Sequence, residues 1–152
     1  MTIVKLDTLS YAYEMNTTKT QLLAVLLTEQ ESYFKRKGWQ GLVFGEGAQV
    51  DIQMSSKMGA AQIPAQMKLA KVTSESLELE TSFSGGVISQ RYQFQTKSTK
   101  LKVIYSEQNM FAENRNQYSF ILVSLLYKFF YNRRIRERMK YLENLCREEV
   151  GI

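Results

Sequence analysis

The stretch Tyr118-Ser-Phe-Ile-Leu-Val-Ser-Leu-Leu-Tyr-Lys-Phe-Phe-Tyr131 decides the fold class of this chain. It is the longest apolar stretch, and it lies within a segment, Asn114 to Arg147, that contains no proline or glycine and keeps helical spacing throughout. At 1.5 Å per residue this segment predicts one helix roughly 50 Å long. Because apolar residues occupy more than one side of its first half, we expect the helix to be covered on more than one face.

The N-terminal part predicts one strand followed by two helices. Ile3 to Met15 alternates between apolar and polar residues, which is typical of a half-buried strand. Thr18 with Gln21, and Thr28 with Glu31, have the capping-box spacing of a helix start. The two short helices predicted from these signals are Thr18 to Leu27 and Glu29 to Lys37.

From Gly41 to Asn109 the hydrophobic period changes to two, and turn-forming residues recur at short intervals. This pattern predicts an antiparallel meander with one apolar face and one polar face. The predicted strands are Gly41 to Phe44, Ala48 to Ser55, Ala65 to Val72, Ser76 to Phe83, Val87 to Thr96 and Lys100 to Asn109.

Length and charge favour a single domain that spans residues 1–152, with a net charge of +5. The window Asn132 to Lys140 holds four arginines and one lysine against Glu137 and so contributes +4 of that charge. We interpret this basic cluster as a soluble helix end that complements the helix dipole. Ile135 and Met139 continue toward Leu142 and Cys146 as a packing stripe, which argues against a nucleic-acid partner.

Composition excludes several kinds of chemistry. The chain has no histidine and a single cysteine, Cys146, so most catalytic triads, most zinc sites and an internal disulfide are excluded. We expect no metal and no cofactor. The start of the chain does not resemble a signal peptide, and the apolar stretch is too short and too charged, at Lys128, for a membrane span. A cytoplasmic location without stable membrane insertion is therefore predicted.

The order of the predicted elements supports a family resemblance. It is carried by Tyr11-Ala-Tyr-Glu-Met-Asn-Thr-Thr-Lys-Thr-Gln-Leu-Leu, a strand that runs into a capped helix, and by the apolar helix from Tyr118. In these features the whole chain resembles the helix-grip superfamily of START, birch-allergen and polyketide-cyclase proteins (SRPBCC), and within it an uncharacterised family of small Gram-positive bacterial proteins. The resemblance implies an α+β fold in which a curved seven-stranded antiparallel sheet wraps around the long C-terminal helix, with an apolar cavity between them.

On this interpretation the inner surface binds a small hydrophobic or amphipathic molecule that is polyketide-like, quinone-like or lipid-like. Tyrosine hydroxyls are expected to orient the ligand, and Arg91 is a weaker candidate because alternation places it opposite Tyr92. The predicted ligand-binding residues are Tyr11, Tyr13, Met54, Met67, Leu79, Tyr92, Phe94, Tyr105, Leu122, Leu126 and Phe129.

Three functions stay open at this point. The leading hypothesis is a non-enzymatic binding protein or carrier. The alternatives are a cyclase or dehydratase of the same fold, and a protein interaction module whose cavity is filled by its own side chains. In addition, Phe120, Tyr127 and Tyr131 form a stripe on the outer face of the long helix, which predicts a homodimer.

Overall fold

The computed structural model describes residues 3–5, 9–55, 62–84, 86–112 and 133–148. They form an α+β fold in which one antiparallel sheet packs against two helices. The elements are β1 (Ile3–Lys5), β2 (Leu9–Met15), α1 (Lys19–Arg36), β3 (Gln49–Ser55), β4 (Gln62–Thr73), β5 (Ser76–Phe83), β6 (Gly86–Lys97), β7 (Lys100–Ala112) and α2, helical residues 133–148.

The sheet follows the order β1, β7, β6, β5, β4, β3, and β2 also pairs with β7. The expected first strand is therefore present as two segments against one neighbour, and the sheet has six strand positions. The predicted seven-stranded sheet is wrong at the first strand of its six-strand meander, because Gly41 to Phe44 is not a strand. Instead, the Phe44 ring packs edge-on against Phe34 and Trp39, with centroid distances of 5.0 and 5.3 Å. This aromatic packing replaces strand pairing.

The helix α1 is one continuous helix of 18 residues, so the prediction of two short helices is wrong. The first cap is present, because the Thr18 hydroxyl accepts a hydrogen bond from the Gln21 backbone N–H at 3.2 Å. The second signal, at Thr28, lies inside the helix. No glycine or proline interrupts the segment, and residues spaced three and four apart bury one side of it in the core. Burial of that stripe favours one uninterrupted helix.

The core lies between the inner face of the sheet and the two helices. Residues that alternate along the strands point into it, as the period of two predicts. α1 contributes Leu22, Leu26 and Phe34, and α2 contributes the stripe predicted from its spacing. Buried residues include Met15, Val50, Leu69, Leu77, Phe94, Leu101, Val103, Ile135, Met139, Leu142 and Cys146.

Strand limits differ modestly from the prediction. β4 begins at Gln62 and includes Pro64, which pairs with Gln53 of β3, whereas pairing with β5 starts only at Ala65. A proline without an N–H is tolerated there because one side of the strand lacks a partner. The first half of the predicted C-terminal helix lies outside the described residues. No helix in the described part of the chain combines the length and apolarity needed to cross a membrane.

Candidate functional site

A cavity of about 550 Å³ lies between the inner face of the sheet, the C-terminal half of α1 and the start of the described part of α2. This volume falls within the usual range for small-molecule sites. The residues that line it are Glu29, Gln30, Tyr33, Arg36, Ile52, Met67, Leu79, Thr81, Ile88, Gln90, Tyr92, Tyr105, Glu107, Arg134, Ile135 and Arg138.

The two sides of the cavity differ in chemistry. The sheet supplies apolar side chains from four adjacent strands, β3 to β6, at Ile52, Met67, Leu79 and Ile88, and it also supplies the polar residues Thr81, Gln90, Tyr92, Tyr105 and Glu107. These positions share one face because side chains alternate along each strand. The helices supply mostly polar and charged side chains. The cavity is therefore amphipathic, and it is more polar than the largely apolar cavity that the resemblance implies.

Arg138 of α2 and Glu29 of α1 form the main polar contact. The Arg138 Nη1 donates to Glu29 Oε2 at 2.7 Å, and Nη2 donates to Glu29 Oε1. The third donor, Nε, bonds to the Tyr92 hydroxyl of β6 at 3.1 Å. Burial acts to lower the pKa of Arg138, but its hydrogen bonds and charge interactions with Glu29 and Tyr92 outweigh this effect and raise the pKa above its ordinary value. The guanidinium thus stays charged and joins both helices to the sheet.

A second set of hydrogen-bonded polar side chains lies on β6 and β7. The Tyr105 hydroxyl donates to Glu107 Oε2 at 3.1 Å and accepts from Gln90 Nε2 at 3.0 Å. Its ring packs edge-on against Tyr92 at a centroid distance of 4.9 Å. This contact places the two tyrosine hydroxyl groups on neighbouring strands of one cavity wall. Tyr92 and Tyr105 are thereby fixed in position before any ligand arrives.

Two buried hydrogen-bonding positions on the cavity remain unused within the described part of the chain. Gln30 is 8% exposed, and its Oε1 has no hydrogen-bond partner there. The Tyr92 hydroxyl, on a side chain 3% exposed, accepts from Arg138, and its own proton has no acceptor among the described residues. Burial raises the pKa of Tyr92 despite the opposing charge of Arg138, so the hydroxyl keeps its proton. The cavity wall therefore offers the Gln30 oxygen as an acceptor and the Tyr92 hydroxyl as a donor.

Four of the ligand-binding residues predicted from the sequence line this cavity, namely Met67, Leu79, Tyr92 and Tyr105. Phe94 is buried in the core instead. Tyr11 and Tyr13 pack at the edge of the core and do not line the cavity. The Met54 side chain and all of Leu122, Leu126 and Phe129 lie outside the described residues. Arg91 is exposed on the opposite face and forms an ion pair with Glu78 at 3.4 Å.

Tyr13 has a structural partner on α2. Its hydroxyl donates to Glu143 Oε1 at 3.2 Å, and the Asn16 backbone N–H donates to Glu143 Oε2 at 2.7 Å. Burial and the neighbouring Glu143 carboxylate raise the pKa of Tyr13. These bonds attach α2 to the end of β2, outside the cavity.

The polar helix residues of the cavity, among them Glu29, Gln30 and Arg138, were not predicted. Arg138 belongs to the basic cluster that we interpreted as a soluble helix end, and that interpretation is wrong for this residue because it is directed to Glu29 and Tyr92. A signal was available in the sequence. Arg138 follows Ile135 by three residues and precedes Leu142 by four, so it lies beside the buried stripe. Arg134 also lines the cavity, whereas Arg133, Arg136 and Lys140 are exposed.

Within the described residues, no group of three carboxylate or thiolate side chains is placed to hold a metal ion. The arrangement instead suits binding of an organic molecule. The sheet wall can bury apolar surface, and Tyr92 and Gln30 can donate and accept hydrogen bonds.

Comparison with known proteins found no matching family model and no matching curated protein. Solved structures do match. The di-domain ARO/CYC StfQ from the steffimycin biosynthetic pathway superposes with a TM-score of 0.66 at 5% identity, over 95% of this chain and 53% of that chain. Protein NE0264 from Nitrosomonas europaea gives a TM-score of 0.60 at 14% identity, over 97% and 100% of the two chains. Ara h 8.0201 gives 0.53 at 7% identity, over 98% of both chains.

At these identities the likeness concerns the fold alone. Ara h 8.0201 and the ARO/CYC protein StfQ among the matches are consistent with the helix-grip fold that the sequence resemblance implies. One fold can host several unrelated activities. The function of this chain must therefore be argued from its own cavity.

Proposed function

We propose that this protein binds a small amphipathic molecule in the cavity between the sheet and the two helices. The observation that carries the proposal is a cavity in which apolar side chains of β3 to β6 meet polar side chains of the sheet and of both helices, with an unused buried donor at Tyr92 and an unused buried acceptor at Gln30. Native interiors rarely leave such groups unpaired, because an unsatisfied buried polar group costs roughly 1–3 kcal/mol. A ligand that pairs with them recovers this free energy.

The two unused buried groups favour a neutral polar group on the buried part of the ligand, and the exposed Arg36 and Arg134 also line the cavity. Arg138 is already paired with Glu29 and Tyr92, so it does not supply a free cation for an anionic ligand. The Gln30 oxygen accepts hydrogen bonds and repels carboxylates. The Tyr92 proton suits a carbonyl oxygen, and the Gln30 oxygen suits a hydroxyl or amide N–H. Polyketide-like and quinone-like molecules carry such groups on an apolar frame, and we place them before simple lipids.

Titration with prodan, a neutral naphthalene ketone with environment-sensitive fluorescence, tests the proposal. We expect saturable binding of one dye per chain with a dissociation constant of about 10 µM or tighter. Ile88→Trp places a large side chain in the cavity and should abolish binding. Val87→Trp is the matched control, because the adjacent strand position alternates to the opposite face. Equal dye binding by both variants would contradict a site in this cavity.

The Tyr92 hydroxyl can be tested separately. Tyr92→Phe removes the donor while it keeps the ring and its packing on Tyr105. Loss of one hydrogen bond of roughly 1 kcal/mol should weaken binding of the ketone about fivefold. Tyr11→Phe provides the control, since Tyr11 does not line the cavity. The same weakening in both variants would exclude a specific role for Tyr92.

One observation also favours a second candidate, a cyclase or dehydratase. Arg138 holds the buried Tyr92 hydroxyl in place, and this hydroxyl can donate a hydrogen bond that polarises a ligand carbonyl. One of the matching structures is an ARO/CYC protein. The two functions differ in turnover. A carrier releases its ligand unchanged, whereas an enzyme converts a poly-β-ketone substrate and loses that conversion in Tyr92→Phe while binding persists.

A further inference from the structure

The loop between α1 and β3 contains an exposed apolar tip that the cavity does not use. Leu42 is fully exposed and Val43 is 86% exposed. Together with Tyr141, they are the large apolar side chains that stand exposed within the described ranges of the chain. A single exposed apolar side chain requires no explanation, but Leu42 and Val43 together leave a continuous apolar surface in water.

Packing between the Trp39 and Phe44 rings fixes the two ends of the tip. The rings of Trp39 and Phe44 pack edge-on at 5.3 Å, so the chain returns to its starting point within four residues. The Trp39 indole lies over Gly41 so closely that a Cβ there would be 2.3 Å from Cζ2. A glycine is therefore required at this position. Because both ends of the tip are fixed, Leu42 and Val43 cannot fold back onto Phe44 without loss of this packing.

Cations lie next to the tip. Lys35, Arg36 and Lys37 end α1 just before Trp39, and all three are exposed. Lys35 pairs with Glu31 at 3.6 Å. Arg36 and Lys37 lie over the Tyr33 ring at 5.9 and 5.6 Å, and neither has a carboxylate partner within the described part of the chain. The Glu46 carboxylate is occupied by the Val72 backbone N–H at 2.8 Å.

We propose that this tip, residues 40–43, and the basic end of α1 dock the protein on an anionic membrane surface. The apolar pair enters the boundary of the acyl chains, and the cations contact the lipid phosphates. Charge complementarity selects an anionic lipid surface as the partner. Arg36 belongs both to the basic end and to the cavity lining, so docking brings the membrane next to the cavity. The docking proposal does not depend on ligand binding and is tested without any ligand.

The test is co-sedimentation with phosphatidylcholine vesicles that contain about one third phosphatidylglycerol, at physiological salt. Leu42→Ser with Val43→Ser should lower binding at least about tenfold. Lys35→Gln with Lys37→Gln should lower it about fivefold per lysine. Lys97→Gln with Lys100→Gln, at the β6–β7 turn beside the other end of α1, should leave binding unchanged.

Trp39 provides a second readout, because it is the one tryptophan in the chain and lies at the base of the tip. Its fluorescence should be quenched by lipids brominated on the upper acyl chain in anionic vesicles, and this quenching should disappear in the Leu42→Ser, Val43→Ser variant. No binding by the wild type, or equal binding by the apolar-tip variant, would overturn the proposal. Self-association that depends on Leu42 and Val43 without vesicle binding would overturn it as well and assign the tip to a protein contact.

Discussion

Arg138 and Glu29 lie 109 residues apart in the chain and meet at the cavity through two hydrogen bonds between the guanidinium and the carboxylate. The side chains are 28% and 21% exposed, so the pair is shielded on most sides. Two hydrogen bonds between a guanidinium and a carboxylate fix the relative orientation of the two groups as well as pairing their charges. The pair holds α1 and α2 at a set distance and orients Tyr92, which links the fold to the proposed site.

Removal of one partner should be costly. Glu29→Gln leaves the Arg138 charge without its counter-ion, and we expect the free energy of unfolding to fall by about 2 kcal/mol. In a double-mutant cycle with Arg138→Gln the coupling should exceed about 1 kcal/mol. The control is the exposed Glu31–Lys35 pair on α1, separated by 3.6 Å, whose coupling should stay below about 0.5 kcal/mol. Similar couplings for the two pairs, measured by urea denaturation, would argue against a shielded link.

Alkaline pH should reduce the part of the unfolding free energy that the Tyr92 hydroxyl contributes in the wild type. The Tyr92→Phe variant lacks this part. Burial raises the pKa of Tyr92 above the ordinary value of 10.0. As pH rises, the unfolded chain loses this proton first, so the stabilisation is complete below pH 10 and is lost as pH passes through the higher folded pKa. The difference in unfolding free energy between wild type and Tyr92→Phe should shrink from pH 8 to above pH 10. A difference that does not change with pH would show that Tyr92 titrates normally.

The end of α1 depends on Gly38. Its φ is +106°, and the Trp39 N–H bonds to the Phe34 carbonyl at 2.9 Å while the Gly38 N–H bonds to the Lys35 carbonyl at 3.1 Å. This is the Schellman arrangement, which favours glycine at its left-handed position. Gly38→Ala should lower the unfolding free energy by about 1 kcal/mol. Gly45→Ala, where an added methyl meets open space, should change it little, and calorimetry on both variants checks this contrast.

Association into a homodimer remains a prediction from helical spacing, because Phe120, Tyr127 and Tyr131 lie outside the described residues. If their stripe pairs with its copy, Tyr127→Glu with Tyr131→Glu should convert a dimer to a monomer. Sedimentation equilibrium at tens of micromolar, on the order of ordinary dimer affinities, measures this directly. A monomeric wild type would refute the stripe as an interface.

The sequence is informative where a local pattern is repeated. Strand β5 has the predicted bounds, Ser76 and Phe83, because alternation and flanking turns mark both of its ends. Prediction fails at Thr28, because burial of one whole face of α1 outweighs a capping signal that rests on two residues. It fails again at Gly41 to Phe44, where packing of the Phe44 ring on Phe34 and Trp39 takes the place of strand pairing.

The same distinction applies to the candidate site, whose sheet residues were predictable and whose helix residues were not. Met67, Leu79, Tyr92 and Tyr105 follow from strand alternation, and all four line the cavity. Glu29, Gln30 and Arg138 depend on how two helices pack across the sheet, which no local spacing specifies. The helix side of this cavity therefore comes from tertiary contacts, and the sequence contains only the sheet side as a readable pattern.

Native mass spectrometry of freshly purified protein tests the central claim most directly. We predict a non-covalent adduct of one small molecule per chain, with carbonyl or hydroxyl groups on an apolar frame. The adduct should persist in Val87→Trp and be absent from Ile88→Trp, which fills the cavity. A wild type without an adduct that also binds no prodan, or an adduct that Ile88→Trp retains, would contradict the assignment of ligand binding to this cavity.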